Sequence, residues 1–139
     1  MQYQSSLDRE GLIDLALIKY FGKVDAKDLD SVLDCFHDNA MITVQTAATV
    51  HAGKDNIKRM FIDFMGAYKT IIHKDFTCTV DEGNGRIVAA FTAELENDDG
   101  SWNRLNNTNY WRIREDKIQE VNIYISGDNP LTSLRTAMH

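Results

Sequence analysis

The sequence predicts an α+β fold in which helices cover one strongly curved, mainly antiparallel sheet. Residues 71–126 read as four consecutive strands, separated by short breaks in which Gly, Asn and Asp are concentrated. Strands of ten or so residues exceed the usual length of about five or six, so the sheet should twist and curl. A curled sheet has a concave face, and the apolar segments of helical spacing that precede the strands are suited to cover it.

Length and charge narrow the range of functions. At 139 residues the chain is the size of one domain, and we expect residues 1–139 to form it. A net charge of -6 argues against a nucleic-acid partner, since such affinity depends on Lys and Arg at phosphates. Residues 1–6 lack a secretory signal, and no apolar run approaches the roughly 18 residues of a membrane span. The sequence therefore predicts a cytoplasmic protein with no membrane partner.

Three helices are predicted before the long strands. Apolar residues at helical spacing predict a first helix over 7–21, which Gly22 would end. Asp25 is predicted to act as the N-cap of a second helix, whose buried stripe includes Phe36. A third helix follows Gly53.

Shorter elements complete the prediction. Residues 41–45 and 49–51 read as two short strands between the second and third helices. Residues 131–138, beyond the turn at Pro130, could form a terminal helix or fray.

Alternation along the long strands sorts their side chains onto two faces. One face is apolar and includes Trp111, whereas the other is mixed and includes His73, Tyr110, Asn122 and Tyr124. A single β-bulge would exchange the faces beyond it. Because apolar residues remain on the mixed face as well, we expect a homodimer packed sheet to sheet.

Three phrases of the sequence resemble the nuclear transport factor 2-like superfamily, and its SnoaL-like members in particular. They are the run at 24–40, the helix start Gly53–Ile57 and the strand opening Lys117–Val121. The resemblance implies a cone-shaped α+β barrel, commonly dimeric, with three N-terminal helices packed on the sheet and a pocket between them. Fold alone does not settle function, because this superfamily contains both enzymes and non-catalytic binders.

The resemblance also implies candidate catalytic residues. In its dehydratase branch a Tyr on the first helix, an Asp shortly after it and a His opening the long strands act together on a carbonyl compound, and Tyr20, Asp25 and His73 occupy corresponding positions. Each has a structural alternative: a core tyrosine, a helix cap or a satisfied histidine. SnoaL-like cyclases carry an acidic residue at the end of the last strand, where this chain has Ser126.

The sequence therefore supports two hypotheses. The first is a domain that binds a small hydrophobic molecule and acts as a cofactor-independent lyase or isomerase on a carbonyl compound, with His73 as base. The second is a non-catalytic ligand-binding or dimerising accessory module. No metal is expected, since the four histidines lack close ligand spacing. Candidate ligand-binding residues are Tyr110, Asn122, Tyr124, Phe61 and Trp111.

Overall fold

A computed structural model describes residues 4–126, and the predicted helix at 131–138 lies outside them. Residues 4–126 form four α-helices and six strands, with a π-helical segment between the first two helices. In chain order they are α1 (Arg9–Ile13), the π-helical segment (Asp14–Lys19), α2 (Tyr20–Asp25), α3 (Leu29–Leu33), β1 (Phe36–Val44), β2 (Thr49–Ala52), α4 (Lys54–Ala67), β3 (Thr70–Asp81), β4 (Arg86–Glu96), β5 (Trp102–Arg114) and β6 (Lys117–Ile125).

All six strands form one curved sheet in the order β2-β1-β6-β5-β4-β3. β1 and β6 are parallel, and every other neighbouring pair is antiparallel. The predicted α+β fold and the four-strand meander are therefore confirmed. The sheet stays open, because β2 and β3 are its two edges within residues 4–126, so the cone is not a closed barrel.

The first helical stretch is longer than the sequence predicts. It passes through Gly22 and ends at Asp25, because the N–H of Ala26 still donates to the carbonyl of Gly22 at 3.1 Å. The predicted N-cap role of Asp25 is therefore wrong. Asp28 caps α3 instead, and its side chain accepts from the N–H of Ser31 at 3.2 Å.

Phe36 also has a different role from the one predicted. It was expected in the buried stripe of the second helix, but α3 ends at Leu33 and Phe36 is the first residue of β1. Its side chain is fully buried, as was expected of the stripe, but it belongs to a strand. Apolar spacing alone could not distinguish the two, because a short apolar run fits the end of a helix and the start of a strand equally well.

A β-bulge in β3 interrupts the alternation of side chains between the two faces of the sheet, so residues before the bulge lie on the opposite face from the one that alternation with the later residues predicts. Before the bulge, His73 pairs with Ala93 on β4, and after it Thr77 pairs with Ala90. Asp75 and Phe76 therefore lie opposite a single residue of β4. Asp75 adopts the left-handed conformation, with φ at 60°. Alternation placed His73 on the mixed face with Tyr110, and the bulge makes that assignment wrong. The side chain of His73 is 8% exposed and lies on the inner face, the face of Trp111.

The core lies between the helices and the inner face of the sheet. Trp111, Ile113 and Ile118 are fully buried there, together with Leu12 from α1 and Ile57 from α4. Both cysteines, Cys35 and Cys78, are free thiols. In the part of the chain that the structure describes, none of the helices is long and apolar enough to cross a membrane.

The turn between β3 and β4 generates a prediction about stability. Gly85 has φ at 63°, and a Cβ there would lie 2.5 Å from the carbonyl oxygen of Ile113. Gly85→Ala should therefore lower the free energy of unfolding by at least about 1 to 3 kcal/mol. Gly83→Ala in the same turn is the matched control, since nothing lies within 4 Å of its Cβ position. Equal denaturation midpoints for the two variants would contradict the prediction.

Candidate active site

A cavity lies between the helices and the inner face of the sheet, as the curved fold requires. Its wall is mainly aromatic and aliphatic, with contributions from α2, α4 and the four strands β3, β4, β5 and β6. The larger apolar side chains include Phe21, Met60, Phe61, Phe64, Phe91, Leu95, Leu105, Ile123 and Ile125. The cavity has a volume of about 30 Å³. That is room for about two waters, at roughly 10 to 15 Å³ each. A larger ligand must therefore displace side chains of the wall.

His73 lines the cavity, and Asp25 pairs with it. One carboxylate oxygen of Asp25, Oδ2, accepts from the backbone N–H of His73 at 2.8 Å, and the other, Oδ1, lies 2.6 Å from Nδ1 of the imidazole. The two side chains are 25% and 8% exposed. Hydrogen bonds to a charged group of this kind contribute about 1.5 to 3 kcal/mol each. The pair therefore ties the end of α2 to the beginning of β3.

Two local features bring this pair together. Helix α2 continues one turn past Gly22, which carries Asp25 to the sheet, and the bulge in β3 turns His73 inward. Phe21 then stacks on the imidazole, with ring centroids 4.3 Å apart and planes 28° apart. The imidazole is thus held by a carboxylate at one edge and an aromatic ring on one face.

The contact with Asp25 fixes the tautomer of His73. A carboxylate can only accept, so a hydrogen bond at Nδ1 requires the proton to be on that nitrogen. In the neutral ring Nε2 then carries the lone pair, which is the form a general base needs. Asp25 therefore acts on His73 in the way that an orienting carboxylate acts in a catalytic triad.

Tyr20 lines the same cavity as His73. Its side chain is 3% exposed, and its ring packs edge-on against Phe61 and Trp111. Burial raises the pKa of the phenol far above its ordinary value, and the charges of Cys35 and Asp25 raise it further. Tyr20 therefore remains protonated at every ordinary pH and can only donate or accept a hydrogen bond as the neutral phenol.

Asn107 and Asn109 are cavity residues that the sequence analysis missed. They lie on the inner face of β5, are 8% and 2% exposed, and line the cavity. Neither Oδ1 atom has a hydrogen-bond partner within residues 4–126. A buried polar group left unsatisfied costs about 1 to 3 kcal/mol. Alternation could have found them, because strict alternation from Trp111 places both on its face.

The predicted ligand-binding residues lie on both sides of the sheet, some on the side that the helices cover and some on the other. Phe61 lines the cavity, and Trp111 is fully buried on the inner face beside it. Tyr110, Asn122 and Tyr124 alternate with the inner-face residues and therefore project from the outer face, where Asn122 accepts from Gln45 at 2.8 Å. The cavity is thus lined by only one of these five predicted residues.

Neither Glu94 nor Ser126 lines the cavity. Glu94 on β4 is paired with Lys74 at 3.0 Å and with Arg104 at 3.1 Å, and the Lys74 hydrogen bond is the main reason that its pKa is lowered. Ser126 accepts from the N–H of Asn106 at 2.8 Å and is exposed. Among the residues that the structure describes, no three His, Cys, Asp or Glu side chains converge on a metal position.

Solved structures with this fold are numerous, although sequence identity to them is low. A protein from Novosphingobium aromaticivorans with the provisional name aromatic ring hydroxylase superposes with a TM-score of 0.75 at 23% identity, over 87% of this chain and 90% of that one. SalBIII, described as an epoxide hydrolase/cyclase-like enzyme in pyran ring formation in the polyether salinomycin, gives 0.76 at 18% identity, over 86% and 93%. PrhC from Penicillium brasilianum gives 0.75 at 15% identity, over 85% and 82%.

Comparison by sequence gives the family. No curated protein matches this chain. The family model for the SnoaL-like domain matches residues 17–121, which include Tyr20, Asp25, His73 and both cavity asparagines. The chain belongs to the family of SnoaL-like domains, within the nuclear transport factor 2-like superfamily.

Proposed function

We propose that this protein binds a small apolar carbonyl compound in the cavity and removes a proton from the carbon next to the carbonyl, as a cofactor-independent lyase or isomerase. The observation that carries the proposal is the Asp25–His73 pair, in which a carboxylate holds an imidazole by Nδ1 at 2.6 Å on the wall of an apolar cavity. A general base that is oriented in this way contributes about 10²- to 10⁴-fold to a rate.

The chemistry follows from the positions of the protons. Nε2 of His73 takes the α-proton, and the electron pair of the broken C–H bond moves into the carbonyl to give an enolate. The phenol of Tyr20, kept protonated by burial, is the donor available to the enolate oxygen. Returning the proton at another carbon gives an isomer. Expelling a β-hydroxyl, which takes the proton from the imidazolium and leaves as water, gives a lyase.

The solved structures similar to this chain support the proposed reaction class only by sharing its fold. SalBIII, whose description includes cyclase-like activity, is built on the same fold at 18% identity. The proposed reaction needs neither metal nor cofactor, because it moves only protons and electron pairs within the substrate. Both the catalytic role of His73 and a cytoplasmic location remain our proposals.

A binding module without catalysis is the second candidate. Two points favour it: Ser126 stands where, by the resemblance, SnoaL-like cyclases carry an acid, and the cavity is narrow for a substrate. The two candidates differ in one measurable property, since only an enzyme accelerates exchange of the α-protons of a bound ketone.

We also propose that the outer face of the sheet forms a homodimer. Val88 on β4 and Tyr124 on β6 are exposed apolar or aromatic side chains on that face, at 38% and 45%. Burial of such residues across a two-fold axis is the usual way for a sheet to cover them.

The first prediction tests His73. 2-Tetralone has readily exchanged protons beside its carbonyl, and proton NMR in D₂O follows their loss. The wild-type protein should accelerate that loss above the buffer rate, and His73→Gln should remove about 10²-fold or more of the acceleration, because the amide cannot exchange a proton near pH 7. His51→Gln is the matched control, since His51 lies outside the cavity wall. Binding of 2-tetralone without acceleration by the wild type would favour the non-catalytic module.

The second prediction tests Asp25. Asp25→Asn keeps the size of the side chain, but its NH₂ group faces a donor on His73, so the imidazole should change tautomer and lose the lone pair at Nε2. The exchange rate of 2-tetralone should fall by about 10²- to 10⁴-fold while the protein stays folded. Asp28→Asn is the control, because Asp28 caps α3 and Asn is an equally good cap. Equal rates for the two variants would contradict an orienting role.

The third prediction concerns the dimer. Sedimentation velocity at micromolar concentration should give a dimer, since interfaces of this kind bury over about 1,000 Å² in total. Val88→Lys should shift the distribution toward monomer. Ile62→Lys should not, because Ile62 is an exposed residue of α4 rather than of the sheet. A monomeric wild type would refute the proposal.

A further inference from the structure

We infer that Phe21 is a positioning residue that stabilises the charged form of His73 through the face of its ring. When Nε2 of His73 takes a proton from the ligand, the neutral imidazole becomes an imidazolium and the ligand becomes an enolate. The inference rests on the proposed function and deepens it, because it gives Phe21 a share in the energy of that step. Phe21 thus acts on the reaction through His73.

The ring of Phe21 lies close to the imidazole and nearly parallel to it. Their centroids are 4.3 Å apart, and their planes differ by 28°. A cation within about 6 Å of an aromatic centroid is attracted by the negative charge density at the face of the ring. This attraction acts mainly on the charged imidazole, so it favours the imidazolium over the neutral ring.

Neighbouring rings hold Phe21 in this arrangement. Its side chain is 4% exposed, and it also stacks on Phe76, with centroids 5.3 Å apart and planes 29° apart. Phe91 and Trp111 pack against it at centroid distances of 4.9 and 5.8 Å. Because the ring is already in place before the charge forms, it needs little rearrangement to stabilise that charge.

The surroundings of His73 give this contribution its weight. The imidazole contacts the carboxylate of Asp25 and the neutral rings of Phe21 and Phe91, and its side chain is 8% exposed. A charge that is largely shielded from water needs other groups to stabilise it. The carboxylate does so at the Nδ1 edge of the imidazole, and Phe21 does so at its face. An aliphatic side chain in place of Phe21 would supply packing without this attraction.

The spacing along α2 explains how both groups reach the same imidazole. Phe21 and Asp25 are four residues apart, so they lie on the same face of the helix, one turn from each other. Tyr20, beside Phe21, also lines the cavity and is the proposed donor to the enolate oxygen. One short helix therefore supplies the groups for both charges of the proposed step, the enolate and the imidazolium of His73.

A ring of nearly the same shape but altered charge density tests the inference. Phe21→3,4,5-trifluorophenylalanine draws electrons away from the ring face and should remove most of the attraction. On the alkaline plateau of the pH–rate profile, exchange of the 2-tetralone α-protons should then be about threefold or more slower than with the wild type. Phe76→3,4,5-trifluorophenylalanine is the matched control, because it adds the same atoms to a ring that stacks on Phe21, and it should retain the wild-type rate.

NMR of the protein without ligand gives a second readout. The nitrogen resonances of the His73 ring report the fraction of rings that carry both protons at a given pH. At the same pH, the ratio of charged to neutral rings should be about 2- to 30-fold lower in the Phe21 variant than in the wild type. The Phe76 variant should keep the wild-type ratio. This measurement requires nothing to enter the cavity.

The two readouts separate this inference from the proposed reaction. If the wild type accelerates no exchange but the ratio falls in the Phe21 variant alone, the proposed reaction is wrong and the stabilisation of the imidazolium by Phe21 stands. If the wild type accelerates exchange and the Phe21 variant matches it in rate and ratio, the inference is wrong and the reaction stands. Equal effects in the Phe21 and Phe76 variants, or a change in only one readout of an active protein, would also overturn the inference.

Discussion

The apolar inner face of the curved sheet has to be shielded from water, and the rest of the molecule follows from that requirement. Helices α1 to α4 cover the face with side chains such as Leu12 and Ile57, which are fully buried. Because a flat helical layer cannot follow a curved sheet everywhere, a narrow cavity remains between them. Any polar group on this face must be paired, or must remain unsatisfied at a cost in free energy.

The inner face contains polar groups of both kinds, paired and unsatisfied. His73 is paired through two hydrogen bonds to Asp25, and this pairing both stabilises the junction of α2 with β3 and fixes the imidazole tautomer. Asn107 and Asn109 leave their carbonyl oxygens unpaired.

Local irregularities place the site in an otherwise regular fold. The π-helical segment from Asp14 to Lys19 lies directly before Tyr20, and the bulge at Asp75 lies two residues after His73. Both irregularities change the direction in which the neighbouring side chains point. The proposed acid and base are thus both found beside a break in periodicity, and both side chains reach the same cavity.

The sequence by itself determined the fold class, the family, the long meander with its breaks and the third helix, because strand alternation, turn residues and helical spacing are local properties. It also marked Tyr20, Asp25 and His73 by resemblance. Only the tertiary structure decided that Asp25 holds His73 rather than capping a helix, because that contact joins residues 48 positions apart. The face to which His73 belongs depends on a bulge, which leaves no clear mark in the sequence, and the unpaired state of Asn107 and Asn109 depends on all of their neighbours in space.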